Sequence, residues 1–177
     1  LTFCVHQDRI VGLTVEGNTL YYSKRFRPES YKATNEIDIG SEGDELTHVV
    51  SVLGVLFVFT RQSIYIVDGG PDDATWVVRK LDVSVTISPQ PIVGAQIEAL
   101  AAIYTVAIGH KGIYFLGNDG VYLLSGSSVR NISDEAMYPL FHGETVNGFL
   151  PVNYTNARFI CGAWFQGRYY LSFPTSS

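Results

Sequence analysis

Hydrophobic and polar positions along this chain follow a pattern that returns four times. An apolar strand runs into a tight turn, and a second strand rich in aromatic and β-branched residues follows. The units are residues 2–15 (TFCVHQDRIVGLTV), 47–60 (THVVSVLGVLFVFT), 104–116 (YTVAIGHKGIYFL) and 158–173 (RFICGAWFQGRYYLSF). They recur at a spacing of roughly 45 to 60 residues, which is the period of propeller blades. The pattern predicts an all-β chain, a β-propeller of four-stranded antiparallel blades with about three and a half blades present. The approximate blades are residues 2–40, 46–83, 104–132 and an incomplete 158–177. Both ends fall inside a strand pattern, which implies a partial propeller.

The second repeat is the clearest. Residues 46–53 read as a first strand, Gly54 as its turn, 55–60 as a second strand and 63–68 as a third. Gly69-Gly70-Pro71-Asp72-Asp73 is a run of turn formers, and 75–83, with Arg79, Lys80 and Asp82, reads as a polar outer strand. Near-continuous apolar inner strands fit sheets covered on both faces. The third repeat predicts strands at 104–108, 112–116, 120–125 and 127–132, with Asn118-Asp119-Gly120 as a hairpin turn. The first predicts strands at 2–6, 9–15, 19–23 and 36–39. The fourth predicts strands at 159–164 and 168–173. Two stretches break the rhythm. Residues 94–103 hold good helix formers, and Ser133 is placed to cap a short helix through Leu140 that Pro139 limits.

Composition narrows the class. The 177 residues suffice for one domain with a sizeable core, and 13% aromatic with 16% charged residues excludes a disordered chain. A net charge of −5 argues against a general nucleic-acid-binding surface. Cys4 and Cys161 are too few for a disulfide framework; they read as two small buried thiols, with pairing open if ring closure joins the chain ends. The longest apolar run, 49–59, is interrupted by Ser51 and Gly54 and falls short of the about 20 residues that a membrane span needs. No membrane insertion by this segment is expected.

Candidate chemistry is sparse. His6 and His110 sit in corresponding first hairpin turns, so repetition explains them. His48 and His142 stand apart, and no metal site or cofactor is expected. Asp72-Asp73 with Trp76 faintly resembles the Asp-box of sialidase-type propellers, but Ala74 replaces its glycine and its serine is missing; an ordinary blade-edge loop is the simpler reading. Asp44-Glu45 and Asp134-Glu135 read as solvated turn and helix-start residues. No nucleophile elbow or phosphate-binding loop is present. Two glycosylation sequons, at Asn131 and Asn153, carry meaning only in a secretory pathway. Lys24-Arg25-Phe26-Arg27, beside Tyr21-Tyr22, is the most basic stretch. It reads as a solvated loop, with a partner contact through Phe26 and the arginines as the alternative.

Residues 20–40 (LYYSKRFRPESYKATNEIDIG) resemble a segment of the β-propeller tail nozzle or hub proteins of short-tailed bacteriophages, the packaged-DNA stabilisation type. Residues 43–47, the hairpin 55–67 (VLFVFTRQSIYIV) and 112–126 (GIYFLGNDGVYLLSG) continue the likeness. The resemblance implies a non-enzymatic virion protein. Copies of it would form a ring below the portal that continues the DNA channel, retains the packaged genome and contacts adaptor, fibre or needle proteins. Phe26, Arg27 and Tyr31 are the candidate interface loop. The acidic balance would suit a channel wall past which genomic DNA slides. The rival expectation is a carbohydrate-active propeller, a glycosidase or lectin-like receptor binder. A cellular interaction scaffold lacks its Trp-Asp and kelch signatures here.

Overall fold

The computed structural model describes residues 2–13, 17–41, 44–60, 63–81, 104–117 and 120–176. The short helix or turn expected at 94–103 lies outside them. Three four-stranded antiparallel sheets and one hairpin make up the described chain, each in sequential meander order. The first sheet is β1 (Phe3–His6), β2 (Arg9–Leu13), β3 (Thr19–Tyr22) and β4 (Glu36–Asp38). The second is β5 (Leu46–Val52), β6 (Val55–Thr60), β7 (Ile64–Asp68) and β8 (Val77–Lys80). The third is β9 (Ala107–Gly109), β10 (Gly112–Leu116), β11 (Val121–Ser125) and β12 (Ser128–Asn131). The hairpin is β13 (Cys161–Phe165) with β14 (Arg168–Ser172). The chain divides into two compact units, Leu1–Val83 and Ser84–Ser177.

In the first unit, alternation along each strand makes two facing layers. Val11, Leu13, Leu20 and Tyr22 of the first sheet meet Val49, Leu56, Val58, Tyr65 and Val67 of the second in one core. The seam is tightest at the leading strands, where β1 and β2 lie against β5. The alternate residues Phe57, Phe59, Ile64 and Ile66 are buried as well, which accounts for the unbroken apolar runs of β6 and β7. A register shift between Leu46 and His48 irregularly offsets the head of β5.

In the second unit, the helix α1 (Asp134–Phe141) follows the third sheet, and a 3-10 helix (Tyr154–Phe159) precedes the hairpin. Leu116, Val121, Phe141, Val152, Tyr154, Ala157 and Ile160 form its core, with Tyr169, Leu171 and Phe173 against it. The hairpin alternates cleanly. Gly162, Trp164, Tyr169 and Leu171 are half-buried, while Cys161, Phe165, Arg168 and Tyr170 face out.

Several boundaries move from their predicted positions for local reasons. Residues 104–106 do not join β9, because the Tyr104 carbonyl accepts from the Gly162 N–H (2.8 Å) and the Thr105 hydroxyl from the Leu116 N–H (3.0 Å). Phe159 belongs to the 3-10 helix, which Asn153 caps by accepting from the Thr155 N–H at 3.1 Å. The outer strand of the second sheet starts at Val77, since Asp73–Thr75 is a 3-10 turn. Ser133 precedes α1 but does not cap it; its hydroxyl instead accepts from the Val121 N–H at 2.8 Å.

Gly112 opens β10 at φ 143°, a region closed to other residues, and a Cβ there would collide with the Leu124 carbonyl oxygen. Gly126 also has a positive φ, 60°, but open space around it. Gly112→Ala should therefore cost about 3 kcal/mol or more, and Gly126→Ala only about 1 kcal/mol. Urea titrations of the two variants check the contrast.

Candidate functional site

Arg9 is a cation at the head of an apolar strand, and the pleat of β2 points it into the seam between the first two sheets. It is 8% exposed, and burying a guanidinium at such a place requires partners. Its Nη1 donates to the Ser23 carbonyl (2.9 Å) and its Nη2 to Asp73 Oδ1 (2.6 Å). The other Asp73 oxygen accepts from the Tyr22 hydroxyl at 3.0 Å. The guanidinium carbon lies 5.6 Å from the Tyr22 ring centre and 5.9 Å from that of Trp76.

Trp76 closes the cluster. Its Nε1 donates to the Gly70 carbonyl (2.9 Å), while its ring tilts against Tyr22 and meets His6 edge-on at 5.5 Å. His6 Nδ1 lies 2.9 Å from the Ser51 hydroxyl oxygen, and Gln7 Nε2 donates to the Gly69 carbonyl at 2.7 Å. Asp72 accepts from the Ala74 N–H and so caps the 3-10 turn that holds Asp73 in place. The acid pair is thus engaged in building a loop and neutralising Arg9.

Burial shifts several groups here. It lowers the His6 pKa and raises that of Tyr22, to which the Asp73 carboxylate adds. Burial pushes the Cys4 thiol up to about 12, against a hydrogen bond from the Ser51 backbone. It pushes His48 down to about 4; the ring packs edge-on to Phe59, and its Nδ1 has no hydrogen-bond partner. Burial raises the Tyr169 pKa in the second unit, opposed by the Thr105 side chain; the Tyr169 hydroxyl donates to the Thr105 carbonyl (2.7 Å).

The predicted interface residues lie on the loop between β3 and β4. Phe26 sits at φ 58° and is 69% exposed; its N–H donates to the Asp8 carbonyl at 2.9 Å. Arg25 stacks on the Phe26 ring (4.6 Å) and grips one Asp8 carboxylate oxygen through two nitrogens. An antiparallel bridge joins Lys24 and Arg27, so Phe26 and Arg27 share one braced turn. Tyr31 is exposed beyond the Lys24–Ser30 hydrogen bond that closes the turn. Among the described residues, no ring or cation contact joins Tyr31 to Phe26 or Arg27.

The second unit builds its seam from aromatic rings. Tyr114 stacks on Trp164 at 4.7 Å and on Tyr169 at 5.5 Å, and His110 meets Trp164 edge-on at 5.0 Å. A Cβ at Gly109 would strike both Trp164 and Tyr114, so the close approach requires glycine there. Beside this stack lies an open groove of about 600 Å³ lined by His110, Lys111, Leu123, Ser125, Ser128 and Arg130.

Two expectations need correction. His6 and His110 are not equivalent in register: His6 ends β1 and is buried, whereas His110 lies in the β9–β10 turn and is exposed. What repeats is a histidine against a tryptophan edge. Both cysteines are free, but only Cys4 is partly buried; Cys161 is exposed because it falls on the outward face of β13. The Arg9–Asp73 pair escaped sequence reasoning, although an arginine opening an otherwise apolar strand was its signal. Among the described residues, no three His, Cys, Asp or Glu side chains could hold a metal ion, and no helix is long and apolar enough to cross a membrane. No protein-family model matches the chain, and no curated protein sequence matches it.

Removing one partner of the Arg9–Asp73 pair strands the other. Asp73→Asn should cost about 1–3 kcal/mol, and Arg9→Met combined with it should cost less than the sum, with a coupling of about 1–2 kcal/mol. A double-mutant cycle by chemical denaturation measures this. Histidines held neutral in the fold bind protons more readily when unfolded. Stability should therefore fall as pH drops from about 6.5 towards the folded His48 value of about 4, by at most ~1.4 kcal/mol per pH unit for each such group. His48→Leu should flatten that limb by roughly one proton's slope, read from denaturation midpoints across the range.

Proposed function

We propose that the chain is part of a β-propeller acting as a non-enzymatic structural protein of a short-tailed bacteriophage tail, at the nozzle or hub. The observation that carries this reading is the form of the segment bearing the resemblance. It makes β3, a braced exposed loop and β4, and the loop presents Phe26, Arg27 and Tyr31 outward. The stacking of four-stranded sheets supports the propeller. Leading strands abut in both units, β1 on β5 and β9 on β13, as they do in wedges that narrow towards an axis.

In this reading, stiff sheets hold the loops at fixed positions, and the loops contact copies of the chain in a ring as well as adaptor, fibre or needle proteins. Exposed aromatic and arginine side chains suit such contacts. Genomic DNA passes through the ring transiently, and the net charge of −5 favours a wall that does not grip phosphates. The protein resides in the virion. The carbohydrate-active alternative draws less support, because Asp72 and Asp73 are occupied by the 3-10 turn, Arg9 and Tyr22.

Phe26→Ser with Arg27→Glu should abolish incorporation into assembled tails while changing monomer stability by no more than about 0.5 kcal/mol. Electron microscopy of tails made with each form checks it. Normal incorporation of the double variant, or a channel wall dominated by Lys and Arg, would overturn the proposal.

A further inference from the structure

Between α1 and the 3-10 helix of the second unit, the chain makes a tight hairpin. The Val146 N–H donates to the Phe149 carbonyl (3.0 Å) and the Phe149 N–H to the Val146 carbonyl (2.8 Å), across a two-residue turn of Asn147 and Gly148. Both turn residues are exposed, and both hold a positive φ, 49° and 84°, as a type I′ turn requires. The roots of the hairpin are tied to α1. The Glu144 N–H donates to the Pro139 carbonyl (2.9 Å) and the Val152 N–H to the Leu140 carbonyl (3.0 Å). The tip has no such tie. Its bridge belongs to no sheet, nothing among the described residues bonds the Asn147 carboxamide, and a Cβ built on Gly148 meets nothing within 4 Å. Asn147 is also the one asparagine in the sequence that glycine follows.

We infer that Asn147 is a site of spontaneous deamidation, modified by attack of its own main chain. The Gly148 nitrogen gives its proton to hydroxide and attacks Asn147 Cγ. The new C–N bond closes a five-membered succinimide; the Cγ–Nδ2 bond breaks, and ammonia leaves with a proton taken from water. A second water then opens the ring. Addition at the side-chain carbonyl leaves an aspartate, and addition at the main-chain carbonyl leaves an isoaspartate. In sum, one water is consumed and one ammonia released, with no change of oxidation state. Gly148 suits the attack because no Cβ shields its nitrogen. Other asparagines are held elsewhere: Asn131 accepts from the Ser133 N–H, Asn153 from the Thr155 N–H, and Asn35 is buried. In the closed turn the Gly148 nitrogen is turned away from the carboxamide, so attack waits on rotation about the Asn147 Cα–C bond. That rotation breaks only the Val146–Phe149 pair, at an exposed tip where opening costs little. An isoaspartate adds a methylene to the main chain, so the two-residue turn no longer closes. Either product sets a carboxylate beside the exposed Phe149. The ties to α1 confine the change to the tip.

The test is to age the 177-residue chain in mildly alkaline buffer made with ¹⁸O-water, then digest it and localise products by fragmentation mass spectrometry. Asn147 should exchange its amide for a labelled acid ahead of every other asparagine, as two chromatographically separate isomers, at a rate that rises in proportion to hydroxide. Asn147→Gln should remove the signal, and Gly148→Ala should slow it about tenfold, although its strained φ loosens the turn. A free peptide of residues 143–151 should react faster than the folded chain, because no hairpin holds it closed. An unchanged Asn147 under conditions that convert the peptide would overturn the inference. So would equal conversion of Asn131 and Asn153, or aspartate formed without isoaspartate, which would mean direct hydrolysis of the amide. The inference stands apart from the tail reading, and none of these outcomes bears on incorporation into tails.

Discussion

A cation held inside a seam between two sheets has to be matched in charge and in direction, and Arg9 imposes that demand on the whole first unit. Its guanidinium reaches Ser23 on its own sheet and Asp73 on the next, so one side chain fixes both partners. Asp73 can reach it only because Asp72 caps a 3-10 turn and Gly69-Gly70 let the chain fold back beneath Trp76. Ser23, in turn, ties the root of the exposed loop to β2, since its hydroxyl accepts from the Ile10 N–H. The apolar layers supply most of the stabilisation, and the ion pair adds a directional contact across the seam.

The second unit meets the same geometric need without charge. Arg9 is replaced in register by Gly112, and a stack of Tyr114, Trp164 and Tyr169 packs the neighbouring part of the seam. Stacked rings are directional, though less so than a paired guanidinium, and they tolerate water at their margin. In the first unit the β7–β8 loop lays Asp73 and Trp76 over Arg9 and Tyr22, whereas in the second the two-stranded hairpin leaves a groove beside Lys111 and Arg130.

The exposed loop between β3 and β4 is braced from within the first unit. The Phe26 turn is tied down by Asp8 through both its backbone and Arg25, which stacks on the exposed ring. The adjacent carboxylates Asp72 and Asp73 are engaged within the fold, by the Ala74 N–H and by Arg9 and Tyr22.

Strand alternation, turn chemistry and apolar runs were legible in the residues themselves, because they depend on neighbours two to four positions away. Those signals placed all three four-stranded sheets and the final hairpin, and they located the exposed loop at Phe26 and Arg27. Boundaries shifted where a distant group intervened, as at Tyr104, whose carbonyl belongs to Gly162, and at Ser133, whose hydroxyl belongs to Val121. The pairing of Arg9 with Asp73, the burial of His6, the outward Cys161 and the basic groove came only from the tertiary structure. Each depends on residues far apart in the chain meeting across a seam, and local sequence carries no term for that meeting.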